Sequence, residues 1–85
     1  MAVDLLYFAW VREAIGRDGE RVDPPAVVRT VADLLGWLAE RDPNHARAFE
    51  DRGRLRAAVD QIFVPLDHSI ANAREIAIFP PVTGG

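Results

Sequence analysis

The sequence predicts an α+β fold in which about five short strands form a mixed sheet packed on one main helix. Three observations point there. Runs rich in β-branched and aromatic residues open and close the chain, from Val3 to Trp10 and from Glu75 to Phe79. Between them, Val31, Leu34, Leu35 and Leu38 recur at i, i+3, i+4, i+7, the stripe of one amphipathic helix. Proline, glycine and aspartate clusters punctuate the rest into pieces of strand length.

The elements follow in order. Val3-Asp4-Leu5-Leu6-Tyr7-Phe8-Ala9-Trp10 reads as a first strand whose odd positions Val3, Leu5 and Tyr7 face a core. After Asp4 its even positions Leu6, Phe8 and Trp10 are apolar too, so a second face needs a cover from outside. Val11 to Ile15 fits a short helical turn ending at Gly16, and Arg17-Asp18-Gly19 is turn chemistry. Glu20 to Asp23 reads as a short edge strand, stopped by Pro24-Pro25 because proline cannot donate to a ladder. Thr30 with Asp33 three residues on is a relative of the capping box, placing the main helix from Val31 to the stop at Asp42-Pro43-Asn44. Gly36 inside it costs about 1 kcal/mol against alanine, which the apolar stripe can offset. A short second helical stretch is expected over residues 45–50, with His45 exposed beside the Pro-Asn turn. Residues 54–59 and 62–64 are strand-like runs separated by Asp60-Gln61, the two-residue spacing of a hairpin. Asp67 to Arg74 is loop, and Glu75 to Phe79 is the last strand before Pro80-Pro81.

Composition excludes most chemistries. With 85 residues the chain is one small domain with room for one modest core. It has no cysteine, which removes disulfides, thiolate nucleophiles and cysteine metal sites, and two histidines are a poor basis for a metal centre. A formal charge of −3 argues against a nucleic-acid binder, whose affinity rests on neutralising phosphates. No apolar run approaches the roughly 20 residues of a membrane helix, and Met1-Ala2-Val3-Asp4 lacks a secretory signal, so a cytoplasmic location is expected. All ten cationic side chains are arginine.

Few motifs carry chemistry. Asp67-His68-Ser69 has the residue types of a hydrolase triad, but adjacent residues rarely converge and a solvated turn is the default. Arg52, Arg54 and Arg56 make the only basic cluster in the sequence, with Arg54 and Arg56 expected on one strand face. That face is either solvated or a docking patch for an acidic partner. The tail Pro80-Pro81-Val82-Thr83-Gly84-Gly85 is different. The prolines stiffen its exit, and the four residues after them extend about 14 Å, enough to cross the wall of another protein's active site. Glycines let a narrow channel close around the backbone up to the carboxylate. That carboxylate, with an ordinary pKa of about 3.3–3.7, is ionised and inert toward nucleophiles until activated, most simply by adenylation. The chain is then a substrate and its partners are the catalysts.

Leu6-Tyr7-Phe8-Ala9 with Val11-Arg12-Glu13, then Ala57-Ala58-Val59-Asp60-Gln61, and above all Phe79-Pro80-Pro81-Val82-Thr83-Gly84-Gly85 resemble the small subunits of molybdopterin synthase. These are the MoaD-type, ubiquitin-like β-grasp sulfur carriers. The resemblance spans essentially the whole chain. It implies a single β-grasp domain over residues 1–79 with a flexible tail over 80–85. It implies that Gly85 is adenylated by an E1-like adenylyltransferase that consumes ATP, then converted to a thiocarboxylate with sulfur from a persulfide donor. Pro80, Pro81, Val82, Thr83 and Gly84 would then enter the large synthase subunit, where Gly85 gives its sulfur to cyclic pyranopterin monophosphate in molybdenum cofactor biosynthesis. The implied assembly is a heterotetramer, and the chain itself would bind no cofactor or metal and have no active site of its own. Phe8, Phe63 and Phe79, each opposite the core side of its strand, match family positions that pack on the large subunit. Alternatives on the same fold are a carrier for thiazole, cysteine or tRNA thiolation, or a ubiquitin-like protein modifier. One departure is Asn72-Ala73-Arg74-Glu75, where the family often has Asp-Gly-Asp-Glu. Asn72 could take over the left-handed turn position that glycine usually fills. Asp60 also replaces a frequent asparagine at the hairpin.

Overall fold

Alternation at the start of the chain builds a core strand. In the computed structural model, which describes residues 2–81, β1 (Val3–Tyr7) buries Val3, Leu5 and Tyr7 and exposes Asp4. The strand stops short of the expected Trp10. Phe8 is extended, Ala9 turns the corner at φ 55°, and α1 (Ala9–Ile15) buries Val11 and Ile15 one helical turn apart. Helical spacing of those two side chains overrides the strand-like composition before them. Gly16 closes α1 at φ 91°, its N–H donating to the Arg12 carbonyl at 2.8 Å, the left-handed cap that glycine serves at least cost.

β2 (Gly19–Val22) is the expected edge strand, antiparallel to β1 with Val22 opposite Val3. A Cβ at Gly19 would lie 2.6 Å from the Leu5 carbonyl oxygen, so only glycine permits this approach of the two backbones. Thr30 caps α2 (Val31–Arg41) as its sequence predicts. Asp33 N–H donates to Thr30 Oγ1 at 3.1 Å, and Thr30 N–H donates to Asp33 Oδ2 at 3.2 Å. A further bond from Arg29 N–H leads the effects that hold the Asp33 carboxyl below the usual range. Val31, Leu34, Leu35 and Leu38 are all buried, as the stripe requires. α3 (Pro43–Ala48) begins two residues before the expected stretch, because Asp42 Oδ1 accepts from Asn44 N–H at 2.7 Å and Pro43 is pre-shaped for a first helical position.

After a 3₁₀ turn at Arg52–Arg54, β3 (Arg56–Val59) and β4 (Ile62–Val64) form the expected hairpin. Asp60 and Gln61 both have positive φ, 50° and 71°, the twist of a two-residue hairpin turn. In the loop before β5 (Glu75–Phe79), Asn72 takes φ 62° and fills the left-handed position in place of glycine.

The sheet order is β2-β1-β5-β3-β4, with β1 and β5 parallel and the other neighbours antiparallel. Leu5, Tyr7, Ile76 and Ile78 meet Leu34, Leu35, Leu38, Phe49 and Leu55 in one core. This is the five-stranded mixed sheet on a main helix that the sequence predicts, with α1 and α3 as short additions. Among the described residues no helix is long and apolar enough to cross a membrane.

Candidate functional site

The first and last strands meet in the middle of the sheet, and that fixes where the tail starts. β5 is paired on one edge to β1 and on the other to β3, so the chain leaves the sheet from its most constrained strand. Phe8 N–H donates to the Ile78 carbonyl at 3.3 Å, and Phe79 lies opposite Arg56. Pro80 is half-buried and Pro81 exposed. Val82, Thr83, Gly84 and Gly85 lie outside the described residues.

Register defines the sheet face turned away from the core. At the end far from the tail it carries Asp4, Arg21 and Glu75, with Arg21 Nε 3.4 Å from Asp4 Oδ1. Across the middle runs an apolar row, Gly19, Leu6, Ala77, Ala58 and Phe63, each the cross-strand partner of the next. At the tail end come Phe8, Phe79 and Arg56. Phe8 is 47% exposed and Phe63 75% exposed, and the rings of Phe63 and Phe79 sit 5.3 Å apart. With Arg56, Ala57 and Val64 these two rings line a hollow of about 210 Å³. The three phenylalanines therefore gather around the tail root on one face, as alternation predicts. Ile62, expected on the core side, is 67% exposed, because β4 is an edge strand with a neighbour on one side only.

Beneath the root, on the core side, lies a polar cluster that no local motif announces. Tyr7 Oη donates to Glu20 Oε2 at 2.7 Å, and His45 Nε2 is 2.6 Å from the same oxygen. His45, expected exposed, is only 5% exposed. Its ring stands T-shaped to the Tyr7 ring, and the partner of its Nε2 comes from a strand 25 positions away, a contact that sequence proximity cannot reveal, while the buried Nδ1 has no hydrogen-bond partner among the described residues. Burial pushes the Glu20 carboxyl up, but the bonds from Tyr7 and His45, with the charges of His45 and Arg17, outweigh it and hold Glu20 below its ordinary value. Burial, then the bond to Glu20, raises the Tyr7 hydroxyl well above the usual phenol range. Tyr7 is the β1 partner of Ile78, so this cluster stiffens the strand pair from which the tail departs.

The other candidates do not share one strand face. Only Arg56 is on β3; Arg54 belongs to the preceding 3₁₀ turn and its guanidinium lies 5.0 Å over the Trp10 ring, because Leu55 turns into the core between them. Asp67 and His68 are exposed, and Ser69 Oγ accepts from Ala71 N–H at 3.0 Å, so the three make a turn and no convergent constellation. Among the described residues no group of three or more His, Cys, Asp or Glu side chains could hold a metal ion. The geometry can present the segment that follows Phe79 from a central strand beside an aromatic face. Ala58 and Ala77 are part of that face, a place the sequence reading did not give them; the alternation held the signal, but small side chains do not stand out in it.

Comparison with known proteins bears on the family and the fold. The ThiS family matches residues 5–85. The chain is 43% identical over 83 residues to the molybdopterin synthase sulfur carrier subunit of Escherichia coli (strain K12), covering 98% of this chain and 99% of that one. It is 39% identical over 83 residues to the protein of the same name from Haemophilus influenzae, again 98% and 99% of the two chains. Among solved structures, SAMP1 from Haloferax volcanii superposes with a TM-score of 0.73 at 30% identity, covering both chains fully. In a complex of subunits 1 and 2 of molybdopterin-converting factor from Helicobacter pylori 26695, one chain shares the fold with a TM-score of 0.63 at 16% identity over 100% of both chains.

Proposed function

The chain belongs to the ThiS family, and from that premise we propose that it is the sulfur-carrier subunit of a molybdopterin synthase. The observation that carries the reading is the full-length likeness to sulfur carriers of that name, 43% identical over 98% of the chain. The geometry supports it, since the tail is rooted in the central strand and flanked by the aromatic face that a partner would cover.

The chemistry follows from what a terminal carboxylate lacks. An E1-like adenylyltransferase binds ATP; the Gly85 carboxylate attacks the α-phosphorus of the nucleotide, pyrophosphate leaves, and the acyl carbon becomes electrophilic. The terminal sulfur of a persulfide donor attacks that carbon and AMP departs. A thiolate then attacks the donor's inner sulfur, forming a disulfide with the donor as the sulfur–sulfur bond breaks and the thiocarboxylate at Gly85 leaves. Pro80 to Gly84 carry that sulfur into the large subunit, which supplies the catalytic groups, and two rounds of transfer build the dithiolene of molybdopterin from cyclic pyranopterin monophosphate. The assembly is a heterotetramer with the carriers at the ends of a large-subunit dimer, working in the cytoplasm.

Reconstitution tests this. Intact-mass spectrometry after incubation with ATP, the activating enzyme and a sulfur donor should show the exchange of one oxygen for sulfur at the C-terminus. Adding the large subunit and the pterin precursor should then yield molybdopterin. A thiocarboxylate that forms but never produces molybdopterin assigns the carrier to thiazole, cysteine or tRNA thiolation instead. The likeness to SAMP1, a small archaeal modifier protein, favours one further reading, attachment through Gly85 to lysines of other proteins. Ladders of larger species on immunoblots, lost when Gly85 is deleted, would establish it.

A further inference from the structure

We propose that Arg54 and Arg56 form a cationic rim that pairs with carboxylates on the large subunit, beside the cavity that takes the tail; this rests on the sulfur-carrier reading above. The two arginines stand at the tail end of the sheet, Arg56 directly across from Phe79 and Arg54 stacked on Trp10. Both are exposed, and among the described residues neither meets a carboxylate, whereas Arg17 and Arg21 have Glu20 and Asp4.

Both guanidinium groups are also held in place. Arg56 Nη1 donates to the Gly53 carbonyl at 3.1 Å and to the Leu55 carbonyl at 2.8 Å, while Arg54 rests on the indole of Trp10. A planar fork fixed before contact loses less rotamer freedom on binding than a free side chain. Arg56 lines the same hollow as Phe63 and Phe79, and an arginine beside aromatic anchors is the composition of binding hot spots. Two guanidinium groups with no carboxylate partner among the described residues are complemented by an acidic partner surface.

The test measures association of the full chain with its large subunit at low and high salt. The Arg54→Glu, Arg56→Glu double variant should associate about tenfold more slowly at low salt. The difference should shrink in about 0.5 M salt, where charges are screened within a few ångströms. Its thermal unfolding should match the unaltered chain, since neither side chain is in the core; if it fails to fold, Arg54→Gln, Arg56→Gln replaces it with a smaller expected loss. Arg56→Lys should keep the association rate and dissociate faster, because an ammonium cannot use the two-carbonyl clamp in the same way. Equal or faster association of the reversed variant at low salt overturns the proposal. Slowed association with the activating enzyme alone overturns its assignment to the large subunit. Absence of binding by the unaltered chain overturns the sulfur-carrier reading as well.

Discussion

Glu20 Oε2 accepts from both Tyr7 and His45, so one carboxylate oxygen joins β1, β2 and α3 beneath the tail root. A hydrogen bond to a charged acceptor contributes about 1.5–3 kcal/mol, and a buried donor left alone costs about as much. Tyr7→Phe removes one donor and its hydroxyl together, and should cost about 1–2 kcal/mol in urea denaturation. Glu20→Ala strands both donors and should cost more than Tyr7→Phe. The same carboxyl sets an acid limit. Its folded-state pKa lies below the ordinary 4.5, so the unfolded chain takes up the proton first. The contribution is complete above pH 4.5 and lost as pH falls through the folded value. Stability of the unaltered protein should therefore drop more steeply than that of Glu20→Gln over this acid window, and parallel curves would disprove the role. None of this is legible locally: Tyr7 reads as an apolar strand residue and His45 as a turn residue, and their common partner is distant from both.

At the scale of elements, the β3–β4 hairpin is where local chemistry and tertiary contact meet. Asp60 Oδ1 accepts from Arg74 N–H and Glu75 N–H, each at 2.9 Å, so the turn also fastens the start of β5. Asp60→Ala should cost about 1–2 kcal/mol by unstitching that joint. Gln61, at φ 71°, should tolerate glycine with a gain of up to about 1 kcal/mol from relieved backbone strain, read as a rise in the denaturation midpoint. The spacing of Asp60-Gln61 announces the hairpin; the bond to β5 does not, because it depends on which strand becomes its neighbour. On the same hairpin Phe63 is 75% exposed. Phe63→Asp should leave stability within about 0.5 kcal/mol. Phe79→Arg should likewise keep the fold, and both variants should bind the large subunit weakly. Normal binding by either would remove that phenylalanine from the interface. The helix cap was legible in full, since Thr30 and Asp33 need only each other, whereas the end of β1 was not, since Val11 and Ile15 turn the chain helical only by finding a core to enter.

At the scale of the whole molecule, the sheet holds the root of the tail in its central strand. Parallel pairing of β1 with β5, flanked by β3, puts Phe79, the root of the tail, at the centre of the sheet, and the charged, apolar and aromatic-arginine bands of the outer face run toward it. If Gly85 is the reacting residue, a single residue added after it should abolish thiocarboxylate formation, because the carboxylate then sits on the wrong atom; mass spectrometry of an extended, unprocessed chain decides this. What the sequence determined by itself was whatever rests on neighbours along the chain: strand alternation, the Thr30 cap, the two-residue hairpin, the absence of cysteine and the Phe79 to Gly85 tail. Those signals act over a few residues, where covalent spacing fixes geometry. Tertiary structure alone decided that His45 is buried on Glu20, that Arg54 leaves β3 for the ring of Trp10, and that the phenylalanines of three separate strands come together in one face. Each depends on which distant element packs where, because a side chain's burial and partner are set by the sheet order and not by its position in the chain.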